Sequence, residues 1–480
     1  VETNESPAER VPRVGGGHET GPGALRRELT FRDVVLFFVT TGTNLQWVAF
    51  AAGAGPSSLV VWGLGAFAMF IPLAVCIISL SSRRPEEGGI YIWSREAFGP
   101  FAGFMTGWTY WCSNLPYFPG LLYFTAGSAL FVFGGEEQVR SAGPAYFVLA
   151  SLAGLALATA LNVVGLGVGK WLNNAGAVSR WLSTFLLVGI GAAFARAHGS
   201  ATAFTLGSLV PSFGLKGALF WSTIAFAWTG PEAASFMGDE IQNPRRTVPR
   251  ALLASAPLIA AIYILGTASL LAAVPAQDVN PLYGVLQAIG RAEQGLGLHG
   301  ITTIAAILVT LTCLGSVGAW LEAVARIPFV AGLDHYLPEA FGRLHPRWGS
   351  PHVALLTQAG VTVAFVVLGQ AGTTVKGAYE VLVSMTLLVT FIPFLLVFAS
   401  AIRLQGKPGG AEGIRLPRWI VTSLALVGFA TTLGGIALSV LPSPGEPNPV
   451  LAVSKVVGGT VFLVGTGALV YRLGQRRRAR

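Results

Sequence analysis

Charge is the scarcest commodity in this chain. Asp, Glu, Lys and Arg together make up 11% of 480 residues, against roughly 25% in soluble domains, which excludes an ordinary water-soluble fold. Histidine is missing from the apolar stretches: all six lie in tails, loops or at the ends of those stretches. No His/Cys group has metal-ligand spacing, so neither a metal nor a cofactor is expected. The three cysteines, Cys76, Cys112 and Cys313, sit inside apolar segments, and an odd number there reads as reduced thiols rather than a disulfide framework. Residues 1–30 are rich in Gly, Pro and charge and have no apolar core, so they read as a flexible cytoplasmic tail and not as a cleaved signal. No nucleophile–base pair stands at matched depth in the apolar segments, which argues against an enzyme.

What the chain has instead is apolar length. Hydrophobic residues make up 53% of it. About 20 apolar residues span a bilayer as a helix, and on that ruler twelve stretches between residues 32 and 472 qualify. The expected fold class is therefore an all-α membrane protein of 12 transmembrane helices in contact with a lipid bilayer. The third and eighth stretches are overlong and should tilt. Pro116 and Pro119 predict a kink in the third, since each removes a backbone donor. Between the seventh and eighth stretches, a short helical run around Leu282–Ile289 is expected to lie on the outer surface as a lid.

The net charge of +9 is arranged for a membrane, not for nucleic acid. If the chain starts inside, only Arg140, Arg196, Lys216, Arg291, Lys376 and Lys455 face outward. Arg180 stays in the membrane, and the rest of the 31 Lys and Arg lie inside. That bias places both termini in the cytoplasm.

Two stretches, the first and the sixth, are interrupted by a Thr-Gly pair: Thr41-Gly42 and Thr229-Gly230. A helix in lipid must satisfy its backbone internally, so an interruption survives only against protein or a watery cavity. Matching interruptions in two halves of a chain point to the binding site of a secondary transporter. Spans one to five and six to ten can be compared as repeats. Five is odd, so the second repeat is inverted. The expected organisation is residues 31–195 and 215–405 as the repeats, 406–473 as two peripheral helices, and 474–480 as a basic tail.

Three blocks then give the chain a family look. The loop after the second span reads Arg83-Arg84-Pro85-Glu86-Glu87-Gly88-Gly89-Ile90-Tyr91-Ile92-Trp93, followed by Phe98-Gly99-Pro100. The sixth span reads Phe226-Ala227-Trp228-Thr229-Gly230-Pro231-Glu232, with Asn243-Pro244-Arg245-Arg246 at its exit. After the eighth span comes Asp334-His335-Tyr336-Leu337-Pro338. In this order and spacing they resemble the amino acid–polyamine–organocation superfamily over about residues 30–405, with its LeuT-type five-plus-five inverted repeat. The runs Trp111–Asn114 and Cys313–Trp320 are similar to bacterial amino-acid antiporters of the arginine/agmatine and glutamate/GABA exchanger type.

The resemblance implies a secondary active transporter in the bacterial inner membrane. It would carry an amino acid or related amine by alternating access, as a sodium-independent exchanger or a proton-linked permease, and act as a monomer or homodimer. Another organic cation or a nucleobase as substrate, or a non-transporting receptor, are the alternatives. By the same resemblance the substrate carboxylate lies at Thr41, Gly42 and Thr43, and its ammonium near the carbonyls of Phe226, Ala227 and Thr229. Phe226 takes the gating aromatic position, and Trp320 and Asn114 line the side-chain end, with Tyr117 and Trp228 nearby. Many relatives have a second glycine where this chain has Asn44, a departure that leaves an amine without a carboxylate open as substrate. Arg180 stands where relatives carry a lysine and sodium-coupled cousins hold a cation. A central membrane arginine costs at least about 2.5–3.5 kcal/mol and needs a partner, with Glu322 first and Glu232 second in line. Glu232 is either a proton-linked switch or a structural acceptor for amides of the first helix. Asn243-Pro244-Arg245-Arg246 with Glu86, Glu87 and Asp334 reads as a cytoplasmic charged latch.

Overall fold

The computed structural model describes residues 29–83, 89–164, 166–211, 215–237, 241–333, 336–405, 416–442 and 446–478. The expected N-terminal tail up to residue 28 lies outside these residues, as do Glu86, Glu87 and Asp334 of the proposed latch.

All regular structure among the described residues is helical, apart from one isolated bridge between Leu29 and Ile241. Helix α1 spans Phe31–Gly42 and α2 Leu45–Ala52. Helix α3 (Ser57–Gly65) passes through a π turn (Ala66–Phe70) into α4 (Ile71–Arg83). There follow α5 (Gly89–Phe98), α6 (Pro100–Leu130), α7 (Gly135–Ser141), α8 (Pro144–Val164), α9 (Leu166–His198) and α10 (Leu206–Leu209). Helix α11 (Leu215–Ala227) leads to a 3-10 turn at Pro231–Met237, and then come α12 (Pro244–Ala273) and α13 (Gly284–Gly295). The chain ends with α14 (Ile301–Leu333), α15 (His352–Gln370), α16 (Val375–Leu404), α17 (Arg418–Ser439) and α18 (Pro449–Arg478).

Among the described residues nine helices are long and apolar enough to cross a membrane, or ten if α1 and α2, bent by 41° at their junction, form one span. The protein is thus a multi-pass membrane protein, but this measure stops short of the twelve spans expected. The other two stretches are present as α6 and α11. Helix α6 is 31 residues long, but its Trp, Tyr, Pro and Asn side chains keep it out of that set. Helix α11 has 13 residues and stops at a break. Helix α6 runs on as one helix through Pro116 and Pro119.

Helices α6, α14 and α16 form the centre, and α16 is buried along 78% of its apolar window. Helices α17 and α18 are buried along only 28% of theirs and turn Leu426, Leu433, Val461, Phe462 and Leu469 outward, as lipid-facing helices should. The basic stretch at the end is part of α18, which continues to Arg478. Helix α9 meets α14 at Gly176 and Gly315. A Cβ on either would lie 2.7–2.8 Å from the other's Cα, so two small residues set this close crossing. The run around Leu282–Ile289 forms α13, whose apolar face packs on α2, α9, α12 and α14.

Candidate functional site

The first break falls two residues later than the sequence indicates. Thr41 and Gly42 close the last turn of α1, and the chain is extended at Thr43 (φ −127°) and Asn44 (φ −147°). Asn44 restarts the helix: its Oδ1 accepts the Gln46 amide at 3.2 Å. Asn is among the best residues at such an N-terminus because its carbonyl takes one of the orphan amides. The second break lies at the expected pair. Thr229 donates both its amide (2.8 Å) and its hydroxyl (2.7 Å) to the Phe226 carbonyl, closing α11. Gly230 then takes φ +121°, a region that favours glycine. A Cβ on Gly230 would stand 2.9 Å from the Thr41 carbonyl oxygen. The two breaks touch.

One side chain from a third element ties them together. The Tyr263 hydroxyl on α12 lies 2.9 Å from the Gly42 carbonyl and 3.2 Å from the Ala227 carbonyl, to which it donates. It also accepts the Asn44 amide at 3.3 Å. Its ring is stacked on Trp62, with centroids 4.1 Å apart and planes 5° apart. Trp62 is itself anchored through its indole N–H to Thr267 at 2.9 Å.

A small cavity opens between the breaks. Thr41, Thr43 and Asn44 line it from the first break, and Phe226, Ala227, Thr229 and Glu232 from the second. Helix α6 contributes Asn114 and Tyr117, α9 Arg180, and α14 Trp320. Phe226 is wedged edge-on between Trp47 (5.2 Å) and Phe391 (6.3 Å), so its ring separates the two.

Three expected site residues stand outside this wall. Gly42 offers only its carbonyl, which Tyr263 takes. Trp228 is turned away from the cavity. Its indole donates to the Trp62 carbonyl at 3.0 Å and its ring packs against Phe70 and Tyr263, so it supports the break from behind. Glu322 accepts Asn173 Nδ2 at 3.4 Å.

The charged groups also differ from expectation. Arg180 is held by neutral oxygens where a carboxylate partner was expected. Its Nη1 donates to the carbonyls of Thr40 and Thr43, the latter at 2.8 Å, and its Nη2 to the Ser316 hydroxyl. The carbonyl end of α1 carries partial negative charge, which suits a cation. The guanidinium therefore joins α1, α9 and α14. Glu232, 2% exposed, accepts the Gly230 amide at 2.7 Å and the Tyr110 hydroxyl at 3.1 Å. It braces its own break rather than amides of the first helix.

Several wall residues escaped the sequence reading: Trp47, Tyr110, Ser113, Tyr263, Thr386 and Thr390. A signal for most of them was present. Tyr110, Ser113, Asn114 and Tyr117 follow the i, i+3, i+4, i+7 rule of one helical face, a polar stripe in an apolar span. Thr386 and Thr390 are one turn apart on α16.

Sequence comparison agrees with this architecture. The amino acid permease family model matches residues 29–464. The chain belongs to the amino acid permease family. An uncharacterized transporter of Legionella pneumophila is 25% identical over 457 residues, covering 92% of this chain and 95% of its own length. A probable agmatine/putrescine antiporter of Lactococcus lactis is 24% identical, covering 76% and 78% of the two chains. An uncharacterized transporter of Mycobacterium bovis is 25% identical over 96% and 94%. These relatives are transporters rather than enzymes, and this permease is a transporter by family.

Proposed function

We propose that this permease is a secondary active transporter that carries an amino acid or a related amine by alternating access. It works as a sodium-independent exchanger or a proton-linked permease of a bacterial inner membrane, with both termini in the cytoplasm. The observation that carries the reading is the meeting of two interrupted helices around one polar cavity, with Gly230 against Thr41 and a single hydroxyl bonded to both. Discontinuous helices place unpaired backbone groups and helix-end charge where a small charged solute must shed its water. Their positions in corresponding spans of residues 31–195 and 215–405 suit an inverted repeat. The antiporter name of the Lactococcus relative favours exchange and a nitrogenous cation among the solutes. Arg180 supplies a permanent positive charge at the end of α1, which removes the need for a sodium ion there, because a guanidinium does not lose its proton at ordinary pH. Glu232 is the acid in the wall that would link transport to protons.

Counterflow tests the reading. Purified protein in liposomes preloaded with unlabelled solute should accumulate the labelled solute transiently against its gradient. An open pore or a receptor gives no such trans-stimulation, and its absence for every amino acid and amine would end the proposal.

A further inference from the structure

The geometry points to a substrate that carries amino groups but no carboxylate, and to Asn44 as the residue that sets this preference. The inference rests on the transport reading above for its site, and narrows the class of solute.

A carboxylate needs donors, and at the start of α2 most of the backbone donors are already spent. Of the amides at the start of α2, that of Gln46 is bonded to Asn44 Oδ1, that of Asn44 to the Tyr263 hydroxyl, and that of Trp47 to the Asn44 carbonyl. Only the Leu45 amide stands outside these bonds. The partial positive charge of a helix start acts through its free N–H groups, so Asn44 closes the anion site from within. Arg180 does not replace it. Both terminal nitrogens are turned onto Thr40, Thr43 and Ser316, and its Nε is buried without a partner.

Acceptors, by contrast, are in surplus. A hydroxyl has one hydrogen, and those of four Ser and Thr residues of the wall are given to the backbone of their own helices. Ser113 donates to Tyr110, Thr41 to Phe37, Thr386 to Leu382 and Thr390 to Thr386, all at 2.7–2.9 Å. Asn114 likewise gives an amide hydrogen to Tyr110 at 2.9 Å. Each therefore presents oxygen lone pairs to the cavity. Among the donors left over is the neutral Tyr117 hydroxyl, which accepts Asn44 Nδ2 at 3.2 Å. Glu232 adds a carboxylate to the wall, and Trp47, Phe226 and Trp320 add aromatic faces that attract cations. An ammonium, with three hydrogens and no acceptor, matches such a lining. The carboxylate of an amino acid would sit against lone pairs, short of donors.

Matched pairs that differ only by the carboxylate decide the matter: putrescine against ornithine, cadaverine against lysine, agmatine against arginine. Binding to the purified full chain is read by thermal stabilisation in detergent. The amine of at least one pair should bind at least about tenfold more tightly than its amino acid, the size of one lost charge-assisted hydrogen bond. Equal or tighter binding of the amino acids overturns the inference, and so does the absence of stabilisation by all six compounds. Asn44→Gly frees the Gln46 amide and should raise amino-acid affinity so that the preference shrinks by about tenfold. An unchanged preference in a variant that still binds amine removes Asn44 from the explanation. Counterflow of the same pairs separates the two readings: exchange of amino acids alone refutes the inference and leaves transport standing, while amine binding without any exchange does the reverse.

Discussion

Gly230 is a residue at which the two halves of the site meet. Its φ of +121° and the position of the Thr41 oxygen, 2.9 Å from where a Cβ would be, are separate obstacles to any side chain. Gly230→Ala must strain the backbone or push α1 away. The expected cost is about 1–3 kcal/mol, seen as a lower unfolding temperature of the purified protein, with loss of transport because the breaks no longer meet. A variant with unchanged stability and exchange would show that the contact is incidental. Asn44 is the opposite case. It needs no unusual dihedral, and its effect lies wholly in where its carbonyl points.

Between elements, the contacts of α12 and α13 carry the next two expectations. Tyr263 gives one hydroxyl to three backbone groups of α1, α2 and α11. Tyr263→Phe keeps the ring stack on Trp62 and leaves those groups short of a partner, at a cost of about 1–3 kcal/mol. Exchange should slow while the amine preference set by Asn44 stays, a combination readable from counterflow rates and binding on the same preparation. Farther out, Glu293 at the end of α13 caps the start of α14, accepting the amides of Ile301 (3.2 Å) and Thr302 (2.6 Å) and the Thr302 hydroxyl. Partial burial pushes its carboxyl up. The bonds from the Thr302 hydroxyl and the amides of Thr302, Ile301 and Gly300 outweigh this and hold it below the usual carboxylate range. A depressed folded-state value means stability that is complete above the unfolded value, about 4.3 for Glu, and lost as pH falls through the folded value. The difference in unfolding temperature between wild type and Glu293→Gln should therefore be constant at neutral pH and close below about pH 4. A difference that persists at pH 3 would place its origin elsewhere.

At the scale of the whole molecule, Arg180 joins α1, α9 and α14 with a charge that cannot dissociate. Initial uptake into liposomes should then be the same in sodium and in choline buffers. Sodium stimulation of the intact protein would contradict the role given to Arg180. The Gly176–Gly315 crossing lets α9 approach α14 closely enough for the guanidinium to reach Ser316. Larger residues there would separate these groups without touching the cavity.

Composition and apolar periodicity settled the solvent this chain lives in, because lipid tolerates so few charges and demands helices of a given length. The Thr-Gly pair at 229–230 was legible as a break, since it combines a poor helix former with a following proline. The polar stripe on α6 went unread, although it is a matter of spacing within one helix. What the order of residues could not disclose is where polar groups are spent. Asn44 as the cap of α2, Tyr263 bridging from 221 residues away to Gly42, Arg180 resting on carbonyls instead of Glu322, and Trp228 packed behind the break rather than on the cavity all depend on how the helices are placed. Hydrogen bonds saturate: each donor serves one or two acceptors, so the chemistry left for a ligand is whatever the packed helices have not already used, and only their mutual placement determines that remainder.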